Sequence, residues 1–409
     1  MRVFGTDYSA AKNFREGTHR TRHPRETLDA FEPRMGEFGI TRLADVTGLD
    51  FIGLPVYMAV RPNSRGLAVS QGKGVDRDSA KASALMESIE SWHAENIQAP
   101  LRHDSYNRLR RRERVVDVTR LAVRRGGSLE LNSPCLWIEG YDLLQGAPAW
   151  LPYECVMTNF VRPERVMTAF SCDSNGLASG NHLLEATVHA LCEVVERDAC
   201  ALWASAGGLA VTETQVDLRT VDDPALRTVL GQLDLAGIEV AAWDATCDTD
   251  VPAYVCMVFE NPDQPRWVLK GAHGGYGCHL DPEVALLRAV TEAIQSRLTT
   301  IAGSRDDMFE YETRANPDDL RVMMDSVAGS PGQREFPDGP SRTTDTFEGD
   351  LEVLLGSLRA IGIENAVVVD LTRPDVGIPV VKVVVPGLEP DNSHHDYLPG
   401  PRARAAALA

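Results

Sequence analysis

The stretch Asn181-His182-Leu183-Leu184-Glu185-Ala186-Thr187-Val188-His189-Ala190-Leu191-Cys192-Glu193-Val194-Val195-Glu196-Arg197 sets three glutamates among apolar residues in a helical rhythm. At about 100° per residue, Glu185, Glu193 and Glu196 fall within an arc of about 80°, with Leu184, Val188, Leu191 and Val195 roughly opposite. Upstream, Ser83, Glu87 and Glu90 share one face at i, i+4 and i+7, away from Leu85, Met86, Ile89 and Trp92. Downstream, Arg288, Glu292 and Gln295 repeat that spacing against Leu286, Val290 and Ile294. The pattern predicts helices over roughly Ser79–Glu95, His182–Ala204 and Pro282–Ala302, the second capped by Asn181.

A polar helix face is ordinarily a solvated one, and solvated faces mix their charges. From Ala82 to Ile97 the only full charges are Glu87, Glu90 and Glu95, with no Lys or Arg one turn on to relieve them. Carboxylates crowded in this way stay ionised only beside a positive charge, so two acid-rich faces point to bound cations. Oxygen ligands without convergent Cys or His favour a hard cation. Mg²⁺ suits a few carboxylates and leaves positions for phosphates, and five glutamates suit more than one ion. The Gly-containing run from Ser174 to Asn181 leads into the second helix and is expected to offer backbone N–H groups to an anion. Gly72-Lys73-Gly74 lacks the spacing of a P-loop.

The segments around these helices read as strands. Asp45-x-Thr47 leads to Gly53-Leu54-Pro55-Val56, Asp244-x-Thr246 to Val251-Pro252-Ala253, and Asp370-x-Thr372 to Gly377-Ile378-Pro379-Val380, each between β-rich runs. Hairpins in mixed β-sheets, interleaved with helices along the whole chain, make one large α/β domain the expected architecture: residues 1–409, a core from about 17 to 390, a flexible loop at 328–350 and a tail at 391–409. With 41 Lys+Arg against 59 Asp+Glu the net charge is −18, which argues against a nucleic-acid binder. No apolar run approaches a membrane span and the N-terminus is too charged for a signal peptide, so a cytoplasmic location without membrane contact is expected. The eight cysteines form no C-x-x-C pair and read as reduced and mostly structural.

Taken together, Gly72-Lys73-Gly74, Ser83-x-x-x-Glu87-x-x-Glu90, Asn181-x-x-x-Glu185, Glu193-x-x-Glu196-Arg197 and Ala289-Val290-Thr291-Glu292-Ala293-Ile294-Gln295-Ser296-Arg297 closing at Arg305-Asp306-Asp307 resemble the YcaO superfamily over about Gly17 to Pro390. The resemblance implies an α/β fold of its own kind with a non-P-loop ATP site. Glu87, Glu90, Glu185, Glu193 and Glu196 would hold Mg²⁺. Ser83, Asn181, Glu292, Gln295, Arg197 and Arg288 would meet the nucleotide, with Arg20 and Thr27 matched to the family's N-terminal basic residue and hydroxyl. Arg197 and Arg288 would act in catalysis.

The chemistry implied is phosphorylation of a peptide backbone amide oxygen by ATP, followed by attack of a nucleophile. A Cys, Ser or Thr side chain gives an azoline, an amine an amidine, and sulfide a thioamide. Two features favour the thioamide: the C-terminus lacks the Pro-rich P-x-P-x-P tail of azoline-forming members, and Glu90-Ser91-Trp92-His93-Ala94-Glu95 is similar to the subset that works with a TfuA partner. Deletion after Pro401 is then expected to cost little. The partners implied are a ribosomally made peptide and a TfuA-like protein, with a homodimer left open. No N-terminal segment has the size of a leader-binding winged helix, so recognition is expected to use this domain or a partner. A docking protein that has lost ATP turnover is the alternative of another class, against which the five retained glutamates argue. Arg108, Arg110, Arg111, Arg112 and Arg114 read as a solvated face or a contact for an acidic peptide, and His189 as a packed histidine or a proton shuttle.

Overall fold

A computed structural model describes residues 1–409 except 162–168, 262, 264–270, 306, 308–316, 329–331, 338–340, 394, 395 and 409. A small ribbon, β1 (Arg2–Val3) and β2 (Thr6–Asp7), precedes helix α1 (Pro24–Phe31). Strands β3 (Arg42–Asp45), β4 (Val56–Val60) and β5 (Val69–Lys73) then lead into α2 (Arg77–Glu95). Next come β6 (Leu101–Ser105), the short α3 (Tyr106–Leu109), β7 (Pro134–Asp142), β8 (Ala147–Pro152) and β9 (Leu177–Ser179), which feeds α4 (Leu183–Ser205). After β10 (Val216–Asp217) and α5 (Pro224–Leu235), strands β11 (Ile238–Asp244), β12 (Ala253–Glu260) and β13 (Ala272–Cys278) lead into α6 (Pro282–Ala302). The chain closes with α7 (Pro317–Ala328), β14 (Arg334–Glu335), α8 (Phe347–Ala360), β15 (Val367–Asp370), β16 (Val380–Val384) and α9 (Pro401–Ala406).

The three Asp-x-Thr turns are the same device. In each, the Asp Oδ1 accepts from the Thr N–H and the Thr Oγ1 accepts from the N–H that starts the next strand: Asp45, Thr47 and Val56 at 3.0 and 3.2 Å, Asp244, Thr246 and Ala253 at 2.8 and 3.1 Å, Asp370, Thr372 and Val380 at 2.9 and 3.2 Å. Both side chains make the turn's hydrogen bonds locally, which is why the motif survives in three settings. The hairpins β3–β4, β11–β12 and β15–β16 that they close each gain a third antiparallel strand, β5, β13 and β9 respectively. In all three, the strand's first residue after the turn pairs with the residue three before a helix N-cap. Val56 pairs with Lys73, Ala253 with Cys278 and Val380 with Ser179, before the N-caps Asp76, Asp281 and His182.

The molecule is thus built on three similar β–β–β–α units, one of them assembled from two distant pieces of chain, β9–α4 and β15–β16. They pack in cyclic order, α2 on β9, α4 on β13 and α6 on β5. Gly72 and Gly277 hold equivalent positions where helix and strand touch. A Cβ on Gly72 would lie 2.0 Å from Ala84 N, and one on Gly277 2.0 Å from Ala285 O, so neither position admits a side chain.

In the six-stranded sheet containing β6, β7, β8, β15, β16 and β9, the strands β15, β16 and β9 are buried on both faces. Val368, Val381 and Val383 face α4 and α8, whereas Val367, Val369 and Val380 face the side packed by Leu85 and Ile89 of α2. That double burial explains the unbroken β-branched runs. The named ladders are antiparallel, with β10–β14 the parallel pair among the described residues.

Three local expectations are corrected. Within 328–350, Arg334–Glu335 is a strand and a helix starts at Phe347, held by Thr346 as N-cap, while 329–331 and 338–340 lie outside the described residues. The N-cap of α4 is His182, because Asn181 turns to Glu185 instead. The run from Ser174 to Asn181 does not cradle an anion: Leu177–Ser179 is a strand, and Ser179 N, Gly180 N and Asn181 N already donate to Glu90, Pro379 O and Glu185. All eight cysteines are free. Among the described residues no helix is long and apolar enough to cross a membrane.

Candidate functional site

The unit repeat places the acids. Glu87 and Glu90 stand 11 and 14 residues after the N-cap Asp76, Glu193 and Glu196 the same distances after His182, and Glu292 and Gln295 the same after Asp281. Equivalent faces of the three helices therefore turn toward one another rather than outward. The strand ends cross-link them. Ser179 donates to Glu90 Oε1 from N (2.8 Å) and Oγ (2.7 Å), and Lys73 Nζ donates to Glu292 Oε2 (2.6 Å). Glu87 accepts from Gln71 N and Glu292 from Tyr276 N, the same contact in two units, each at 3.4 Å.

At one end of the cluster Glu185 is buried, its Oε2 accepting from Thr21 N (2.8 Å) and Thr21 Oγ1 (2.7 Å), with Arg20 Nε at 3.8 Å from Oε1. Thr27 Oγ1 donates to Asn181 Oδ1 at 3.0 Å. Arg20, Thr27, Asn181 and Glu185, matched from separate short motifs, thus come together. Arg288 reaches His189, its Nη2 3.0 Å from Nε2. Arg197 lies 3.5 Å from Glu196 Oε1 and over the Tyr276 ring. Ser83 occupies the same face of α2 one turn before Glu87, half-buried.

The electrostatics are those of an acid cluster without enough cations. Burial pushes Glu90 up to about 8, Ser179's hydrogen bonds oppose it, and Glu87 and Glu193 add to the rise. Burial raises Glu193 to about 7 against the pull of Arg197, with Glu196 reinforcing it. Glu196 rises for the same reason, Arg197 opposing and Glu292 adding. Desolvation by the protein around it raises Glu87 to about 7 with Lys73 opposing, an effect that solvent screening reduces because the side chain is exposed. Glu292 goes the other way, since Lys73 and then Arg197 outweigh its burial.

Residue composition fits a divalent cation carrying an anionic ligand. Glu196 is 2% exposed, and its Oε2 has no hydrogen-bond partner among the described residues. Such a buried oxygen, beside two raised carboxyls, lacks a positive partner that Mg²⁺ would supply. Gln295 Oε1 is likewise buried and unpartnered. Arg20, Lys73, Arg197 and Arg288 border these acids with the charge that phosphates require.

Sequence reasoning passed over Thr21, Ser179 and Lys382. Lys382 is buried, donates to Asp173 O (2.6 Å) and acts on Glu193. Its signal was a lone charge within Val380-Val381-Lys382-Val383-Val384, a run otherwise fit for the core. Lys73 was noted only as a failed P-loop; its position three residues before a helix N-cap carries the information. The arginines 108, 110, 111, 112 and 114 are exposed, Arg108 within α3 and the others in the segment that follows it.

A family model described as YcaO cyclodehydratase, ATP- and Mg²⁺-binding, matches residues 71–389. An uncharacterised protein from the tfuA 3′ region of Rhizobium leguminosarum bv. trifolii is 36% identical over 386 residues, covering 93% of this chain and 91% of that protein. A protein of Methanothermobacter thermautotrophicus is 36% identical over 371 residues, covering 90% and 94%. Among solved structures, YcaO from Methanopyrus kandleri bound with AMPPCP and Mg²⁺ superposes with a TM-score of 0.73 at 22% identity, covering 95% of this chain and 98% of that one. A heterocyclase in complex with substrate and cofactor gives 0.77 at 22% identity; the match covers 94% of this chain but only 54% of the heterocyclase. At such identity these two likenesses concern the fold.

Proposed function

The chain belongs to the YcaO family, and on that premise we propose that it is a cytoplasmic enzyme that uses ATP and Mg²⁺ to activate a backbone amide of a ribosomally made peptide, most readily for thioamide formation with a TfuA-type partner. The observation that carries this is the convergence of Glu87, Glu90, Glu193, Glu196 and Glu292 from three equivalent helices into one cluster bordered by Arg20, Lys73, Arg197 and Arg288. Bound ATP supplies a phosphoryl group that turns the amide oxygen into a leaving group, with Mg²⁺ offsetting its charge.

The side chains divide the remaining work. Glu87, Glu90, Glu185, Glu193 and Glu196 would hold the metal; Arg197 and Arg288 would neutralise charge on the transferred group. Arg20, Thr27, Ser83, Asn181, Glu292 and Gln295 would fix the nucleotide. In thioamide formation sulfide adds to the amide carbon and the amide oxygen departs with phosphate, so one C–S bond replaces one C–O bond without redox change. The tfuA-region relative supports this product. The family model's description supports the second reading, cyclodehydration to an azoline.

Glu90→Gln and Glu193→Gln keep side-chain volume and, at Glu90, an oxygen for Ser179. Both are expected to abolish Mg²⁺-dependent ATP consumption with melting temperature preserved; wild-type turnover in either overturns the assignment. Intact-mass measurement of a peptide incubated with ATP, Mg²⁺, sulfide and a TfuA-like protein separates the products. A gain of sulfur minus oxygen supports the thioamide, and loss of one water the azoline.

A further inference from the structure

His189 stands seven residues after the N-cap of α4, the position that Ser83 holds in α2 and Arg288 in α6. These three side chains occupy one level of the three-unit arrangement, and two of them touch: Arg288 Nη2 lies 3.0 Å from His189 Nε2. A guanidinium can only donate, so Nε2 must be the accepting, unprotonated nitrogen and the ring proton must sit on Nδ1. Resting on the functional reading above, we propose that His189 is a positioning residue, a neutral acceptor that aims Arg288 at the phosphate-binding space while leaving its charge unspent.

The surroundings suit that role. Facing His189 are Arg288 from α6, Arg20 from the N-terminal segment, Lys73 from β5 and His279 ahead of α6, while Glu185 and Glu193 lie one turn away on its own helix. Burial first, and then the charges of Arg288, Arg20 and Lys73, keep the ring neutral. An acid at this position would hold Arg288 equally well, but as an ion pair it would cancel the charge an incoming phosphate needs. An imidazole fixes direction without neutralising. Of the sequence readings of His189, a packed histidine or a proton shuttle, this sets the shuttle aside, because Nε2 already accepts from a guanidinium that cannot take up a proton.

The test joins a spectroscopic and a binding measurement. In uniformly folded wild-type protein carrying ¹⁵N-histidine, the signal absent from His189→Gln identifies the ring. A neutral Nδ1–H tautomer at neutral pH, with Nε2 shifted in Arg288→Leu, is expected; a protonated ring or an Nε2–H tautomer overturns the proposal. Titration with Mg²⁺ and a non-hydrolysable ATP analogue gives the second readout. His189→Gln, whose amide oxygen still accepts, should bind within a few-fold of wild type, and His189→Glu about tenfold or more weakly. Equal affinity in the Gln and Glu variants overturns the positioning role. Failure of the wild type itself to bind the analogue overturns the functional reading, which sets that outcome apart from failure of the variants.

Discussion

Glu90 and Glu193 show what single residues contribute here. Each is held well above the ordinary carboxyl value of 4.5, to about 8 and about 7, so in the metal-free protein the folded state carries more protons than the unfolded one across that interval. Stability from these groups is therefore present at low pH and declines as pH rises from about 4.5 through about 8. The buried histidines act in the opposite sense. His19 falls from 6.5 to about 4, and His189 and His279 fall as well, burial being the first cause in each. Their stability is present above about 6.5 and is lost as pH drops through the folded value. The two windows overlap from about 4.5 to about 6.5, where the contributions oppose each other, so metal-free protein is expected to melt highest within that overlap and to lose stability above it. Added Mg²⁺ should raise the melting temperature more at about pH 8, where the acids are ionised, than at about pH 6. A uniform shift at both, read by calorimetry, would count against the acid cluster as the metal site.

Among elements, the C-terminal helix departs most from what its sequence suggested. Arg402 in α9 donates to Asp198 from Nε (2.9 Å) and Nη2 (2.8 Å) and to Asp248 from Nη1 (3.0 Å) and Nη2 (2.6 Å). Buried Glu389 accepts from Gly400 N, Ala403 N and Tyr397 Oη, fixing the start of the helix. Asp198 is fully buried and directly follows Arg197. The thioamide reading predicts little loss of activity on deletion after Pro401, since with sulfur from outside the tail need not complete a site for an internal nucleophile, and the Ala-rich ending agrees. The deletion also removes Arg402 and strands a buried carboxylate beside the site. Arg402→Ala should therefore cost about 3–5 kcal/mol, measured by denaturant unfolding, comparable to the roughly 2–5 kcal/mol for Leu191→Ala in the core. Glu90→Gln, on the cleft, should leave unfolding nearly unchanged. The three acid-bearing helices were legible to within two residues because their apolar stripes repeat at 3.6. The clamp was not, since nothing in the spacing of Asp198, Asp248 and Arg402 along the chain shows that they meet.

For the molecule as a whole, the repeat was visible only as three Asp-x-Thr turns. Its extent was hidden because one unit draws its hairpin from residues 367–384 and its helix from 183–205, so no fixed period runs through the chain. The acids of each helix were read correctly as a face, yet a face seen alone cannot say what it looks at. The structure answers through topology: α2 leans on β9, α4 on β13 and α6 on β5, so the three acid faces converge where the units meet. Across that meeting point Ser179 joins unit to unit through Glu90, and Lys73 does so through Glu292. Elsewhere in the cleft it is carboxylates that face one another, and their repulsion opposes the packing that the apolar stripes favour. A cation with its phosphates inserted there would bind all three units at once, reversing that repulsion. Hydrogen exchange should report this as a shared event. On adding Mg²⁺ and an ATP analogue, amides in 77–95, 183–205 and 282–302 are expected to slow together. Slowing confined to one helix would mean that the acids do not act as one site.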